Sequence, residues 1–447
     1  MCSRLLRHAL AVSKNAEEKN ILPATNVDLL QKTGKFLYHS AKYTKAEDVQ
    51  LKALDIVKRC YEPTNLKIAE IYRDLGNIYE TSDRFEKARE NYQNALKIDK
   101  SVYLEQNPKI AEDLEHLGNV SLKLGNPREA LLHYNSAKEY NDIFFVEKHI
   151  TMARSDFNVG RSYLAKGDFE NAEAHLENAF KNVRKNYGYD HPFSAEIINQ
   201  LGDVNFEKGQ LKRAMEDYST ALKIDRRHYG ANHPQLAEDF IRTARVMLVS
   251  GNSKDALKRL SKALNINLKV FGDQHHSIAK TYNYLGVAEQ ENQNHEEAIG
   301  YFTKALSMTQ KIFNNPNHPL IAEIATNFGI ALTKQCKYAE ARGLLETALR
   351  VYRKTNRAMS LTIGKGHKLV ADTFHGEHDL HKAQERYFKA FDIYEKLLPM
   401  SHPTITEIRK NMLQLANDFS EWHYKETGKS NCFQSMSIHR KLRLLTA

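Results

Sequence analysis

The stretch YRDLGNIYETSDRFEKARENYQNA, residues 72–95, decides the fold, because its pattern recurs along the chain. Its small residue Gly76 belongs to a series whose steps are all 42 residues, apart from one step of 43. The series consists of Gly34, Gly76, Gly118, Gly160, Gly202, Ala244, Gly286, Gly329 and Ala371. A fixed period of this length indicates an array of similar units rather than several unrelated domains.

Two alanines follow each member of this series, and all nine units contain both. In the second unit they are Ala88 and Ala95, and the bulky residue Tyr92 stands between them. The spacings of 3, 4 and 7 residues are helical, and a turn signal such as KGDF at 166–169 falls midway through the unit. Each unit is therefore predicted to form two antiparallel helices. Small residues would allow the helix axes to approach to about 8–10 Å.

Histidine followed by proline marks the junctions between units. The four pairs are His191–Pro192, His233–Pro234, His318–Pro319 and His402–Pro403. Proline suits the first turn of a helix and disfavours helix at the residue before it. We therefore interpret each pair as the start of the next unit's first helix, with the histidine hydrogen-bonded to nearby backbone, and not as a catalytic or metal site.

The motifs do not indicate an enzyme. GxGxxG, GxxxxGK[ST], HExxH and GxSxG are all missing, so we predict no catalytic residue and no cofactor. The stretch HGEHDLH, residues 375–381, holds three histidines, but the repeat places His378 at a turn, where another unit has Gly167. We predict no metal site there. The four cysteines include no CxxC pair, which favours a reducing compartment, and we expect a cytoplasmic chain.

The charge balance restricts the partners. The chain of 447 residues is 41% hydrophobic and carries a net charge of +10, which favours an acidic peptide, nucleic acid or anionic lipid. The basic residues are interleaved with acids and have no series of stacking aromatics, so nucleic acid is not predicted. No apolar run approaches the roughly 18 residues that a membrane span needs. We also expect no small-molecule ligand.

An aromatic, Leu-Gly, Tyr, Ala, aromatic, Ala signature is present. In the second unit it consists of Tyr72, Leu75, Gly76, Tyr79, Ala88, Tyr92 and Ala95. This signature resembles that of the tetratricopeptide repeat, whose common period is about 34 residues. The longer period, with Tyr/Phe-Gly-x-x-His-Pro before the next unit, is similar to the repeat of kinesin light chains and nephrocystin-3. The N-terminal heptad coiled coil of kinesin light chains is missing, so the chain is not identified as one.

The resemblance implies an all-α fold, a right-handed α-solenoid of antiparallel helix pairs. The expected segments are the second helix of an incomplete repeat at 1–19, nine repeats at 26–403, a capping helix at 404–422 and a basic, disordered tail at 423–447. Met412, Leu413 and Ala416 are expected to cover the last core face. The half repeat at the start suggests a fragment of a longer protein, such as the sensor region of a nucleotide-binding oligomerising ATPase.

The resemblance also implies a non-enzymatic adaptor that binds extended, acidic peptide segments of partner proteins. First helices line the concave side of such a solenoid, and four positions of each first helix are expected to face it. The candidate groove residues are Arg73, Asn77, Asn119, Arg154, Asn158, Arg161, Asn199, Arg242, Arg245, Asn283 and Asn327. Alternatively, some of these arginines pair with Glu196 and Glu238 in neighbouring units.

Overall fold

Helices account for all regular structure in the described part of the chain, which confirms the all-α class. The computed structural model describes residues 23–39, 42–82, 84–103, 107–145, 149–313, 316–355, 360–398, 400, 402–427, 435–438 and 441, with four single residues before Pro23. The chain divides into two compact units, Met1–Ala231 and Asn232–Ala447.

Each unit is built from consecutive helices. In unit 1 they are α1 Pro23–His39, α2 Tyr43–Cys60, α3 Leu66–Thr81, α4 Phe85–Val102, α5 Pro108–Lys123, α6 Pro127–Phe144, α7 Ile150–Lys166, α8 Phe169–Tyr187, α9 Pro192–Glu207 and α10 Leu211–Tyr229. In unit 2 they are α11 Pro234–Val249, α12 Ser253–Phe271, α13 His276–Glu291, α14 His295–Ile312, α15 Pro319–Lys334, α16 Tyr338–Thr355, α17 Leu361–Gly376, α18 Leu380–Leu397 and α19 Pro403–Thr427.

Consecutive helices pack as pairs, α1 with α2, α3 with α4, and so on within each unit. The second helix of a pair packs on the first helix of the next pair in the same unit, and successive first helices also contact each other, as α13 does with α11 and α15. This stacking is the arrangement of an α-solenoid. The predicted solenoid is therefore confirmed within each unit.

Small residues permit the close packing inside each pair. A Cβ atom added to Gly118 would lie 2.5 Å from the ring of Tyr134, and one added to Gly286 would lie 2.8 Å from the ring of Phe302. The two alanine series are at most 2% exposed in all nine units. Both observations confirm that the 42-residue pattern records helix–helix contact and core packing.

The junction histidines cap the first helices. The Nδ1 atom of His191 accepts a hydrogen bond from the backbone N–H of Phe193 at 3.1 Å, two residues later. The same contact is made by His149, His233, His275, His318 and His402, each at 3.2 Å. Asn65 and Asn107 use their side-chain oxygens in this way at 2.9 Å. Each cap satisfies one N–H group that the helix itself leaves without a partner, so the structural interpretation of His-Pro is confirmed.

In the seven pairs whose turn is described, one turn residue has a positive φ angle. Glycine provides it in several units, for example Gly167 with φ 83° and Gly251 with φ 77°. Gln293, Cys336 and His378 occupy the equivalent turn positions with φ between 60° and 67°. The predicted turn at His378 is therefore confirmed, and three non-glycine residues are held in the left-handed region.

Replacing Gln293 by glycine should stabilise unit 2. A side chain in the left-handed region costs about 1 kcal/mol, and glycine removes that cost. Urea unfolding followed by circular dichroism should show a higher midpoint for Gln293→Gly. The matched control is Gly251→Ala, which introduces the same strain one repeat earlier and should lower the midpoint. A Gln293→Gly chain that unfolds at a lower urea concentration than wild type would contradict the strain argument.

The C-terminal end differs in part from expectation. Met412 and Ala416 are fully buried as predicted, but the prediction for Leu413 was wrong, because its side chain is 43% exposed. The buried residues Met412, Leu415 and Ala416 form one face of this helix, and Leu413 points about 100° away from Met412, outside that face. The helix continues to Thr427 rather than ending at residue 422.

Part of the segment predicted to be a disordered tail is described. Residues 435–438 are helical, and Ile438 is buried in the same apolar cluster as Met412. The Lys441 ammonium group donates a hydrogen bond to Asp392. The predicted half repeat at 1–19 lies almost entirely outside the described residues. None of the described helices has the length and apolarity that crossing a membrane requires.

Candidate functional site

Two arginines of the predicted groove lie on one face of α7. Arg154 is exposed and Arg161 is half-buried, and their separation of seven residues places them on the same side of the helix. The Arg154 guanidinium lies 4.6 Å from the centroid of the Phe193 ring, and that of Arg161 lies 5.4 Å from the Phe157 centroid. Within the described part of the chain, neither arginine forms an ion pair, so the alternative pairing with Glu196 is not observed for Arg154.

Asn158 lies between these two arginines on α7. It is buried, and the described residues offer its side-chain amide no hydrogen bond. Four residues separate Asn158 from Arg154, and three separate it from Arg161, so the three side chains share one helix face. A buried amide has two donors and an acceptor to satisfy. The three residues together form a polar cluster, which we call the α7 site.

Carboxyl groups of the preceding pairs face the α7 site. Burial raises the pKa of Glu115 and of Glu80 above the usual range, and the charges of Arg154 and Arg161, respectively, act against that rise. The arginine charge therefore favours the ionised form of each carboxyl, while burial disfavours it.

Asn77 and Asn119 have a structural partner that the repeat pattern did not reveal. The hydroxyl of Tyr92 donates to Asn77 Oδ1, and that of Tyr134 donates to Asn119 Oδ1, each at 2.7 Å. The tyrosine is the bulky residue of the second helix, 15 positions after the asparagine. The tyrosine hydroxyl therefore engages the amide oxygen of each asparagine and not its NH₂ group.

This tyrosine contact follows a rule along the sequence. Tyr218 and Tyr387 make the same bond to Asp203 and Asp372, at 2.7 and 2.6 Å. Where the bulky residue is Leu176, Leu260, Phe302 or Leu345, the position 15 residues earlier is Arg161, Arg245, Val287 or Ile330. A side-chain oxygen that can accept a hydrogen bond, from Asn or Asp, therefore accompanies tyrosine. The correlation at a spacing of 15 could have identified this contact from the sequence.

Arg73 and Asn199 lie inside unit 1. The Nη1 atom of Arg73 donates to Asp99 Oδ2 at 2.7 Å and to Asp113 Oδ1 at 3.2 Å. All three residues are buried, and Asn199 is 1% exposed. Both lie on a first helix as predicted. We leave Arg73 out of the proposed groove because Asp99 and Asp113 already bind its guanidinium, and Asn199 because it is almost fully buried between helices.

The predicted amides of unit 2 belong to a hydrogen-bonded chain. Asn327 donates to Asn283 Oδ1 at 3.1 Å, and Asn283 donates to Glu323 Oε1 at 3.3 Å. The hydroxyl of Tyr284 donates to the same Glu323 oxygen at 2.6 Å. Because Asn283 is fully buried, this chain links α13 and α15, and its members already have protein partners.

The predicted arginines of unit 2 also have protein neighbours. Arg242 lies 3.6 Å from Asp239, and the Arg245 guanidinium lies 6.0 Å from the centroid of Tyr284. Burial opposes the ionisation of Glu238, but Lys280, bonded to it at 2.6 Å, and Arg242 lower its pKa to about 2. Internal ion pairs are thus formed by Arg242 in unit 2 and by Arg73 in unit 1.

The three histidines of HGEHDLH do not converge. His375 forms an ion-pair contact with Asp418, while His381 packs edge-on against Phe419 and Trp422. His378 occupies the turn. Across the described residues, no group of three or more His, Cys, Asp or Glu side chains is arranged to hold a metal ion.

Comparison with known families identifies the repeat. The tetratricopeptide repeat model matches residues 29–101, 82–140, 151–227, 195–269, 243–311 and 277–354, which together cover more than half of the chain. No curated protein matches the chain.

Solved structures with the same kind of helix array also match. A Rap protein complexed with Competence and Sporulation Factor aligns with 86% of this chain and 98% of its own, at 16% identity and a TM-score of 0.55. Kinesin-light-chain-type TPR-like repeats from Podosopora anserina align with 47% of this chain and 100% of theirs, at 19% identity and a TM-score of 0.38. BtubC from P. vanneervenii aligns with 55% of this chain and 93% of its own, at 18% identity and a TM-score of 0.38.

At 16% identity, the alignment with the Rap protein shows that the two chains share a fold. It does not show what this chain binds. The repeats of the matched family are protein-interaction modules and are generally non-enzymatic. The family model, the 42-residue pattern and the stacked helix pairs agree on one assignment. The chain belongs to the tetratricopeptide repeat family.

Proposed function

We propose that the chain is a protein-interaction scaffold whose α7 site binds an extended, acidic segment of a partner protein. The observation that carries this proposal is the pair of arginines, Arg154 and Arg161, which lie over aromatic rings and form no ion pair with the described residues. Asn158 lies between them on the same face. A cation, an amide and a second cation in a row suit a peptide with spaced carboxylates.

The aromatic neighbours support this role. Phe193 and Phe157 are buried, and a guanidinium placed over a ring is held in position without losing its hydrogen-bond donors. Preorganised arginines lose less side-chain entropy when a carboxylate arrives, and they can bind it with two parallel hydrogen bonds. The Asn158 amide can pair with peptide backbone, which gives affinity that depends little on the ligand's side chains.

The other predicted groove residues contribute unequally to this proposal. The NH₂ groups of Asn77 and Asn119 extend the donor surface of unit 1 along α3 and α5. The predicted groove residues of unit 2 already contact side chains of that unit, as Asn283 and Arg242 do. The Rap protein with which the chain aligns holds Competence and Sporulation Factor, which is a precedent for a ligand on this fold.

Selection of displayed peptides against the intact chain tests the proposal. We expect the selected peptides to be enriched in Asp and Glu. Fluorescence anisotropy should then show that Arg154→Glu/Arg161→Glu weakens their binding about tenfold or more, because a hydrogen bond to a charged group contributes roughly 1.5–3 kcal/mol.

The matched control is Arg128→Glu/Lys212→Glu, which changes the net charge equally at exposed residues outside the α7 site. This variant should bind the selected peptides as wild type does. Peptides without acidic enrichment, or equal loss of binding in both double variants, would refute the α7 site as an acidic-peptide site.

A further inference from the structure

Exposed apolar side chains concentrate at one edge of unit 1. Six of the nine large, exposed apolar residues in its described part lie at or just beyond the C-terminal ends of second helices. They are Val102, Ile143, Phe144, Tyr187, Tyr189 and Tyr229. Second helices of a solenoid run parallel to each other, so their C-terminal ends share one edge. We call the part of it formed by residues 143–144, 181–189 and 223–229 the C-terminal edge.

Basic residues share this edge in a repeated arrangement. Lys181, Arg184 and Lys185 on α8 recur 42 residues later on α10 as Lys223, Arg226 and Arg227, and all six are exposed. Spacings of three and four residues place each set on one helix face. The ends of α8 and α10 are neighbours, because Arg227 contacts Asp190 at 3.1 Å.

The electrostatic balance of the C-terminal edge is positive. Within the described part of the chain, Lys181, Lys185, Lys223 and Arg226 form no ion pair. A basic residue in the last turn of a helix complements the helix dipole, but that effect is confined to the last turn and does not explain Lys181 and Lys223. It also does not explain why apolar side chains lie beside these charges.

The α6 end is the apolar part of this edge. Ile143 is 58% exposed and Phe144 is 48% exposed. The α6 residues equivalent to the basic set are Glu139, Asp142 and Ile143, so positive charge is concentrated on α8 and α10. The C-terminal edge therefore has exposed apolar side chains at the end of α6, and basic side chains and tyrosines at the ends of α8 and α10.

We propose that the C-terminal edge of unit 1 docks on a negatively charged lipid surface. Ile143 and Phe144 would enter the boundary between headgroups and acyl chains, where a protein buries apolar side chains. The exposed tyrosines suit the same interfacial depth. The six basic residues would face anionic headgroups, and each basic side chain near such a surface raises the binding constant about fivefold.

Single-stranded nucleic acid is the competing anionic partner, and the tyrosine environment favours lipid. Nucleic acid binding of this kind needs aromatic faces on which bases stack. The Tyr189 ring has the Arg184 guanidinium over it at 5.9 Å, and Phe180 packs edge-on at 5.9 Å. Aliphatic Ile143 adds nothing to base stacking but suits a lipid interface. The lipid surface is separate from the α7 site, which lies on a first helix.

Vesicle co-sedimentation of the intact chain tests the proposal. We expect binding to vesicles that contain phosphatidylserine, little binding to phosphatidylcholine alone, and release by high salt, which screens exposed charges. Arg184→Glu/Arg226→Glu should weaken binding about tenfold or more. Ile143→Ser/Phe144→Ser should weaken it as well, although the net charge is unchanged. Circular dichroism should show the same helix content in both variants.

Two controls separate the possible results. Arg128→Glu/Lys212→Glu changes the same number of charges at the N-terminal ends of α6 and α10, and it should bind vesicles as wild type does. Arg154→Glu/Arg161→Glu should also bind vesicles normally, so failure of the peptide proposal and failure of this one are distinguishable.

The lipid proposal is overturned if wild type does not bind anionic vesicles at low salt, or if Arg128→Glu/Lys212→Glu loses binding as much as Arg184→Glu/Arg226→Glu does. It is also overturned if single-stranded RNA is bound instead and Ile143→Ser/Phe144→Ser binds that RNA normally.

Discussion

Replacing Arg73 by methionine should lower the free energy of unfolding of unit 1 by about 3–5 kcal/mol. The wild-type guanidinium is bonded to Asp99 and Asp113, and all three side chains are at most 9% exposed. Removing the cation leaves two carboxylates facing each other away from water. The cost of leaving buried charges without compensation exceeds the loss of any single hydrogen bond.

The loss in Arg73→Met should grow as the pH rises. Burial raises the pKa of Asp113 from its ordinary value of 3.8 to about 7, Arg73 opposes that rise, and Asp99 adds to it. Because the folded-state pKa is the higher one, the contribution of this group to stability is fully present below about pH 4 and is lost as the pH rises through 7. Without Arg73, ionisation of the pair becomes still less favourable.

The next repeat provides the matched control for Arg73→Met. Asn141 and Ser155 stand 42 residues after Asp99 and Asp113 and form a neutral hydrogen bond of 3.1 Å. The variant Arg73→Met/Asp99→Asn/Asp113→Ser should therefore recover much of the lost stability and depend less on pH. Urea unfolding, combined with hydrogen exchange of peptides from α3, α4 and α5, measures both effects. Wild-type exchange rates in Arg73→Met would contradict the predicted role of the buried ion pairs.

Periodicity predicted the fold and the junctions, because both repeat along the chain. The close approach at Gly118 and the cap at His191 recur in other units with the same geometry. A contact that recurs in successive units requires a similar residue at the same position of each unit, so it is visible in the sequence. The contact between Tyr134 and Asn119 also recurs at a fixed spacing, but it pairs two positions that both vary between units, so a pattern of single positions does not predict it.

The repeat pattern did not predict which of the candidate groove residues are buried and which are exposed. Helical position assigns a residue to a face, but Arg73 is buried and Arg154 is exposed. The difference arises from residues on other helices: Asp99 on the second helix of the same pair and Asp113 in the next pair hold Arg73 in the interior. Phe193 of the next pair instead supports Arg154 at the surface. These neighbours differ between units, so a period common to all units does not predict them.

His367 should make unit 2 sensitive to acid. The side chain is 3% exposed, and the Arg353 guanidinium donates to its Nε2 atom at 2.9 Å. Burial is the largest cause that lowers the pKa of His367 from 6.5 to about 4, and Arg353 is the next. The neighbouring cations Arg386 and Lys389 act in the same direction, while Glu385 opposes them. The folded protein therefore holds this imidazole in its neutral form.

The sign of the pH dependence follows from the depressed pKa. The stability that neutral His367 contributes is fully present above about pH 6.5, and it is lost as the pH falls from 6.5 towards 4. A shift of this size corresponds to about 3 kcal/mol at roughly 1.4 kcal/mol per pKa unit. Since the group is buried, solvent screening should reduce this value little.

Urea unfolding between pH 4 and 7 should separate His367 from the other titrating groups. We expect His367→Leu to remove about 3 kcal/mol of the acid-dependent loss, because leucine fills the site and does not bind a proton. Exposed Arg353 can turn to solvent in that variant. Arg353→Leu should keep most of the acid sensitivity, since burial remains, but move it closer to neutral pH. If His367→Leu shows the same pH profile as wild type, the buried imidazole is not the group that titrates.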